Sequence, residues 1–442
     1  MSAVNLSARP KIVRNVGYGV LDYLVQPLLM LASARYFIHH LGISQFGLWM
    51  LILTIIGSSG TLCTGFGDAA LKYVSMMRGR FDYQRVTEVI RTSITINLGF
   101  GLAMALVLCG LAPWGATHVF HLRELAPSFT LSLRIAACVL VVRSVTFVFI
   151  STVRAFEHYR VATQVNSAER MLVVVSAIFF AGHGHGVPSI MLMTLGIDVL
   201  ALVALGYGAQ QLAGRGCLLP SFNVAGWRPL VSFGTFSWLQ ALAGTIFSQA
   251  DRVIVASLLG PAELGFYALC VQVSQPIHGL IASGSNVLFP HLSARAENAS
   301  AKELLASSAR AFRLTCIAIA LLASPLIFGS RLLFRLWMGP AFAQHAASSL
   351  SVVALSFALL AFNIPGHYAL LALGRVRFVT AVNLVGGALS LGLALLLVPR
   401  FGILGAAMAR LAYGPVTWLI YLKLDHVLRT RQSMLSAAPQ TV

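Results

Sequence analysis

The chain has few charged residues. Of its 442 residues, 10% are Asp, Glu, Lys or Arg, while 58% are hydrophobic. Soluble proteins carry about 25% charged residues, and one globular core could not hold such an apolar excess. Apolar runs of about 20 residues, the length that the hydrocarbon core of a bilayer requires, recur along the chain. The sequence therefore predicts an all-α polytopic membrane protein.

Acidic residues are the scarcest charged group, with 13 Asp and Glu against 31 Lys and Arg, so the formal net charge is +18. In a soluble protein this excess would suggest nucleic-acid binding. Here most basic residues fall in the segments that face inside if the amino terminus is inside, as the positive-inside rule describes. We therefore predict a multi-pass protein of the bacterial cell inner membrane, with both termini cytoplasmic and no nucleic-acid partner.

Several catalytic signatures are missing. The six cysteines form no CxxC pair, which argues against a disulfide framework. No GxxxxGK[ST] string occurs, so a nucleotide-driven motor is excluded. No predicted loop is long enough for a soluble catalytic domain. His183 and His185 have HxH spacing but lie near no Cys or carboxylate, so we expect no metal site, no cofactor and no enzymatic activity.

What the chain does contain is an internal repeat. The string LGISQFG starting at Leu41 recurs as LGPAELG from Leu259, and RVATQVN starting at Arg160 recurs as RFVTAVN from Arg377. Both pairs are separated by roughly the same distance, near half the chain length. A fixed period over separated matches indicates a duplicated unit.

Twelve apolar segments fit this duplication, six per copy. Six spans return the chain to its starting side, so the repeats are parallel and a substrate site is expected between them, around a central cavity. We predict a first six-helix bundle at 1–212, a cytoplasmic linker at 213–228, a second bundle at 229–424 and a cytoplasmic tail at 425–442. The predicted spans are 13–34, 42–68, 90–112, 128–153, 167–182, 188–211, 229–258, 264–290, 311–330, 346–373, 378–398 and 401–422.

Cations within these spans are the first candidate site residues. Ionisable groups at membrane depth are costly and usually face a cavity or a partner. Arg143, Arg410 and Arg252 are candidate substrate-binding cations, because a guanidinium can bind phosphate oxygens through charge-assisted hydrogen bonds. The alternative for Arg143 and Arg410 is a structural salt bridge to Asp22 or Asp198.

The other ionisable groups in the spans are candidates for ion coupling. Asp22, Asp198, Asp251 and His278 could take up a proton, although a permanently hydrogen-bonded carboxyl group is the alternative for Asp22 and Asp198. Arg134 precedes Arg143 by nine residues and therefore faces the opposite side of an ideal helix, about 180° away. It is expected to extend towards the membrane surface rather than share a cavity with that residue.

Longer strings carry a family resemblance. They are DRVIVASLLGPAELGFYAL from Asp251, GFGDAALKYVS from Gly65 and GRVRFVTAVN from Gly374, together with an LGxxxxG turn between the first two helices of each half. The chain resembles the polysaccharide transporter, or Wzx-type oligosaccharide flippase, branch of the multidrug/oligosaccharidyl-lipid/polysaccharide exporter superfamily. Twelve spans argue against its lipid II flippase branch, whose members usually have fourteen.

The resemblance implies a MATE-like fold and a function. Two helical bundles would enclose a V-shaped cavity, and the protein would move a polyprenyl-pyrophosphate-linked oligosaccharide across the inner membrane by alternating access. Its partners would be that lipid-linked substrate, the bilayer and other membrane proteins of polysaccharide assembly. The alternatives are a multidrug or toxic-compound cation antiporter of the same fold, and an accessory subunit of a polysaccharide synthase.

Overall fold

The computed structural model describes residues 28–214, 216–221, 231, 248–285, 301–372 and 375–437. Within these ranges the secondary structure is helical and no strand occurs. Residues 13–27 of the first predicted span, including Asp22, and much of the predicted linker and seventh span lie outside the described residues.

The helices of the amino-terminal half follow the predicted spans closely but extend beyond the apolar segments. After α3, a π-helical turn at Gly115–Val119 continues the helix. Asp82 caps the start of α3 by accepting a hydrogen bond from the Arg85 backbone N–H at 3.1 Å. The helices are α1 at 28–41, α2 Ile43–Gly79, α3 Tyr83–Trp114, α4 Ala126–Ala155, α5 Tyr159–Gly182 and α6 Val187–Ala213.

The carboxy-terminal half has more helix breaks. Its helices are α7 at 248–259, α8 Pro261–Ser285, α9 Ala301–Trp337, α10 Pro340–Phe362, α11 Ile364–Ala372, α12 Val376–Leu411, α13 Tyr413–Thr417 and α14 Leu419–Ala437. Over the described ranges, seven helical stretches are long and apolar enough to cross a membrane. The longest of them, Arg377–Val427, has 51 residues, more than twice the length that one crossing requires.

That long stretch is a helical hairpin. Gly402 has a φ of 59° and a ψ of −141°, which interrupts the helix inside α12. The segments on either side of Gly402 pack against each other. A Cβ on Gly405 would collide with the Leu397 carbonyl oxygen, and a Cβ on Gly386 would lie 3.3 Å from the Tyr413 ring. The two arms correspond to the predicted spans 378–398 and 401–422.

The chain forms two compact units, of which the first covers Leu28–Gly265 and the second includes the chain from Phe266 onwards. In the first unit α4 is central and packs against α2, α3 and α6. Its buried face includes Leu140, Val148 and Val153. Burial of such aliphatic side chains between neighbouring helices positions the polar residues that α4, α5 and α6 carry.

The chain that follows α6 packs back onto α3. Arg91 donates a hydrogen bond from Nε to the Leu219 carbonyl at 3.0 Å, and Thr95 Oγ1 donates to the Ser221 carbonyl at 3.1 Å. Cys217 is fully buried in a hydrophobic cluster with Val86 and Ile90 of α3, and this burial raises the pKa of its thiol. The described part of the predicted linker is thus attached to the first unit, while the predicted domain boundaries stay a prediction.

In the second unit α10 packs against both α9 and α12. The helix is interrupted at Asn363, two residues before Pro365, and α11 continues from Ile364. A proline removes a backbone donor and favours such a break. The Tyr421 hydroxyl donates to the Phe362 carbonyl beside the break. His367 lies on α11, the helix that follows this interruption.

Candidate functional site

In the first unit, one guanidinium bridges three helices. Arg143 on α4 donates from Nε to Asp198 Oδ2 on α6 at 2.9 Å, and from a terminal nitrogen to Asp198 Oδ1 at 3.3 Å. The same terminal nitrogen donates to Glu169 Oε1 on α5 at 3.3 Å. The Asp198 side chain is 1% exposed, that of Glu169 12% and that of Arg143 32%. We call these three residues the Arg143 triad.

The charges in the triad explain why it holds together. An isolated carboxylate as deeply buried as Asp198 would be strongly disfavoured, so a close guanidinium stabilises it. The structure thus forms the ion pair that sequence analysis gave as the alternative for Arg143. The half-buried guanidinium of Arg143 retains exposed surface that a substrate could contact. Binding of substrate by Arg143 stays a prediction.

Glu169 was not among the residues predicted from the sequence. The predicted span 167–182 placed this residue at the membrane surface, where a carboxylate requires no partner. In the structure α5 begins at Tyr159, so Glu169 lies well inside the helix and its side chain is mostly buried. Glu169 lies 26 residues from Arg143 along the chain, and only the packing of α5 beside α4 brings the two together. The polar residues directly before the predicted span could have indicated that the helix begins earlier.

The second unit has a different polar cluster. The guanidinium carbon of Arg410 lies 4.7 Å from the centre of the Phe357 ring, within the range of a cation–π contact. His278 on α8 is close enough to His367 and to Arg410 for electrostatic interaction with both. We call His278, His367 and Arg410 the basic cluster. His367 was not identified from the sequence, because 89 residues separate it from His278 and no motif links them.

The remaining candidates have more local contacts. Asp251, 4% exposed, accepts a hydrogen bond at Oδ1 from the Arg252 backbone N–H at 2.8 Å. Arg252 donates from its guanidinium to Gln249 Oε1 at 2.9 Å, one turn earlier on the same helix. These contacts stabilise α7 and do not test the predicted roles of the two residues. Over the described ranges, no three His, Cys, Asp or Glu side chains cluster as metal ligands would.

Comparison with known proteins identifies the family. Residues 41–344 match a family described as "Polysaccharide biosynthesis protein", and this match covers more than half of the chain. The chain belongs to that family. A protein of Shigella flexneri named "Putative O-antigen transporter" is 19% identical over 419 residues, which are 94% of this chain and 96% of the relative. The resemblance to the polysaccharide transporter family, which we inferred from the repeat and the longer strings, is confirmed.

Solved structures confirm the fold class. An inward-facing multidrug resistance transporter of the MATE family and MOP superfamily matches with a TM-score of 0.76, at 14% identity, over 95% of this chain and 99% of that one. The lipid II flippase MurJ in an inward closed conformation matches with a TM-score of 0.75, at 12% identity, over 94% of this chain and 87% of that one. This member of the polysaccharide biosynthesis family is a multi-pass α-helical membrane protein with a MATE-like fold.

Proposed function

We propose that the protein is a flippase that moves a polyprenyl-pyrophosphate-linked oligosaccharide across the inner membrane by alternating access, and that it is not an enzyme. Membership of a polysaccharide biosynthesis family, a transporter fold and a relative named as an O-antigen transporter support this function. We further propose that both termini are cytoplasmic and that other membrane proteins of polysaccharide assembly act with it.

The basic cluster is the structural observation that carries the proposal. It brings together cationic or protonatable groups from α8, α11 and α12. His367 and Arg410 both lie in apolar helical stretches long enough to cross a membrane. A pyrophosphate carries several anionic oxygens, which a guanidinium binds well. The fixed positive charge of Arg410 suits such a head group and would repel a cationic drug, while His278 and His367 add charge only when they are protonated.

The Arg143 triad supports a second role, that of ion coupling. Within the triad, with both carboxylates ionised, Asp198 and Glu169 outweigh the single positive charge of Arg143; Arg170 adds a weaker interaction with Glu169. Neutralising the excess negative charge by one proton would lower the cost of burying the triad. We therefore propose that Asp198 and Glu169 respond to the ion gradient while Arg410 contacts substrate. The roles predicted for Asp22, Asp251 and His278 in coupling, and for Arg252 in substrate binding, remain proposals.

The same two carboxylates favour the second candidate function, a multidrug or toxic-compound cation antiporter. Asp198 and Glu169 approach one point between α5 and α6, and paired carboxylates can bind a cation. In this structure Arg143 already provides the positive charge there. A cationic substrate would have to compete with that guanidinium, which makes this function the less favoured one.

Analysis of lipid-linked saccharides in a deletion strain tests the proposed function. Mass spectrometry would measure their amounts, and a membrane-impermeant probe would report the leaflet that they occupy. We expect an inner-leaflet polyprenyl-pyrophosphate oligosaccharide to accumulate, and a plasmid copy of the protein to reverse this. An unchanged lipid pool together with increased drug sensitivity would instead support the antiporter.

A further inference from the structure

A cleft lies between one end of α3 and the start of α4 in the first unit. Its volume is about 390 Å³, and its lining includes Pro113, Thr117, Pro127, Thr130, Leu131 and Arg134. Apolar side chains form most of this surface, and Arg134 is the cation among the lining residues. The cleft contains none of the residues of the Arg143 triad or the basic cluster.

Arg134 differs from Arg143, nine residues later on the same helix. Arg143 is held by two carboxylates, whereas the exposed Arg134 side chain has no hydrogen-bond or ion-pair partner in the part of the chain that the structure describes. It belongs to an apolar helix that can cross a membrane. A guanidinium in such a helix is stabilised where it reaches the polar head groups.

Residues beside the cleft indicate that it lies near the level of those head groups. Beyond Pro113, α3 widens into the π-helical turn Gly115–Val119. Trp114, 54% exposed, stacks on His118 with ring centres 5.9 Å apart. Exposed tryptophans in membrane helices concentrate at the boundary between hydrocarbon and water. The turn therefore gives a cleft that is apolar along one wall and has a cation near the head-group level.

We propose that this cleft binds a phospholipid with an anionic head group. The Arg134 guanidinium donates to the phosphate, and the Thr130 hydroxyl, which has no other side-chain partner among the described residues, adds a second donor. The glycerol and the first acyl carbons pack on Pro113, Pro127 and Leu131. Charge complementarity and location in a membrane-spanning helix identify the occupant as a lipid of the surrounding bilayer. The site does not depend on the proposed transport function.

Native mass spectrometry of the full-length purified protein tests the site. The delipidated protein is titrated with phosphatidylglycerol or with phosphatidylcholine. We expect the wild type to retain phosphatidylglycerol preferentially, and Arg134→Gln to weaken that binding about tenfold, as the loss of one charge-assisted contact predicts. The matched control is Arg331→Gln, which removes an exposed arginine from another apolar helix that does not line the cleft.

A second variant separates the cleft from the charge. Leu131→Trp keeps Arg134 and fills the apolar wall, and because Leu131 is 52% exposed the change is compatible with folding. We expect it to reduce phosphatidylglycerol binding as well. The proposal is overturned if Arg134→Gln binds like the wild type, if Arg331→Gln loses as much binding, or if the two lipids bind equally. Unchanged binding by Leu131→Trp would contradict a cleft that holds the lipid body.

Discussion

Gly47 and Gly265 contact each other backbone to backbone. A Cβ on Gly47 would collide with the Pro261 carbonyl oxygen and lie 3.0 Å from the Gly265 nitrogen, while one on Gly265 would lie 3.0 Å from the Ile43 carbonyl oxygen. Both glycines end an LGxxxxG motif, one in each repeat, and both belong to the first unit. The repeated motif therefore has a physical reason: it lets the first turns of α2 and α8 approach without side chains between them.

Replacing Gly47 by alanine should disrupt this approach. The added methyl group meets backbone rather than a flexible side chain, so the backbone at Gly47 and at Pro261–Gly265 must separate, and overpacking of this kind costs about 1–3 kcal/mol. We expect Gly47→Ala to lower the thermal unfolding temperature of the purified protein and to reduce export. Gly57→Ala, in the same helix, is the matched control, since a Cβ there meets nothing within 4 Å. Equal behaviour of the two variants would contradict the close contact.

The Arg143 triad should show strong energetic coupling. Arg143→Ala leaves the buried Asp198 without its partner, and breaking a buried ion pair in this way costs about 3–5 kcal/mol. Asp198→Asn removes the charge and should be milder. We expect the double variant Arg143→Ala/Asp198→Asn to unfold at a higher temperature than Arg143→Ala alone. The measurement is a double-mutant cycle of unfolding midpoints, and additive effects would refute the pairing.

Glu169→Gln separates the coupling role from the structural one. The amide preserves a hydrogen-bond acceptor for Arg143 but removes the excess negative charge, so we expect near-normal stability. If Asp198 and Glu169 respond to the proton gradient, export by this variant should lose much of its sensitivity to an uncoupler. Wild-type sensitivity in a stable Glu169→Gln variant would remove Glu169 from the coupling proposal.

The helical hairpin within α12 provides a test of the fold. A methyl group on Gly405 would collide with the Leu397 carbonyl, whereas one on Gly392 meets nothing within 4 Å. We expect Gly405→Ala to reduce the yield of folded protein in the membrane and Gly392→Ala to leave it unchanged. The amount of protein that remains monodisperse in mild detergent measures this difference. Normal yield from Gly405→Ala would argue against the close packing of the two arms.

Arg410 should matter more for transport than for stability. Arg410→Ala removes the guanidinium of the basic cluster, and Arg410→Lys retains its charge but not its planar contact with Phe357. We expect export to be lost in the first and partly retained in the second, with similar protein levels in both. Export by Arg410→Ala at the wild-type level would exclude it from substrate binding.

The sequence predicted the repeat, the membrane helices and the pairing of Arg143 with Asp198 as an alternative, because these follow from apolar length, motif spacing and the cost of a buried charge. It did not reveal Glu169, since hydropathy alone started the fifth span too late along the chain, at residue 167, whereas α5 begins at Tyr159. It also missed His367, which interacts with His278 only through the packing of helices that are far apart along the chain. Local patterns define helices, but contacts between distant polar residues depend on how those helices pack.

Transport by the purified protein is the most direct test of the account. The lipid-linked saccharide recovered from the deletion strain would be incorporated into vesicles with the wild type, with Arg410→Ala, or without protein. A membrane-impermeant reagent then measures the fraction of saccharide that becomes accessible over time. We predict that the wild type exposes internal saccharide and that Arg410→Ala does not. Accessibility in wild-type vesicles that never exceeds that in protein-free vesicles would contradict the flippase proposal.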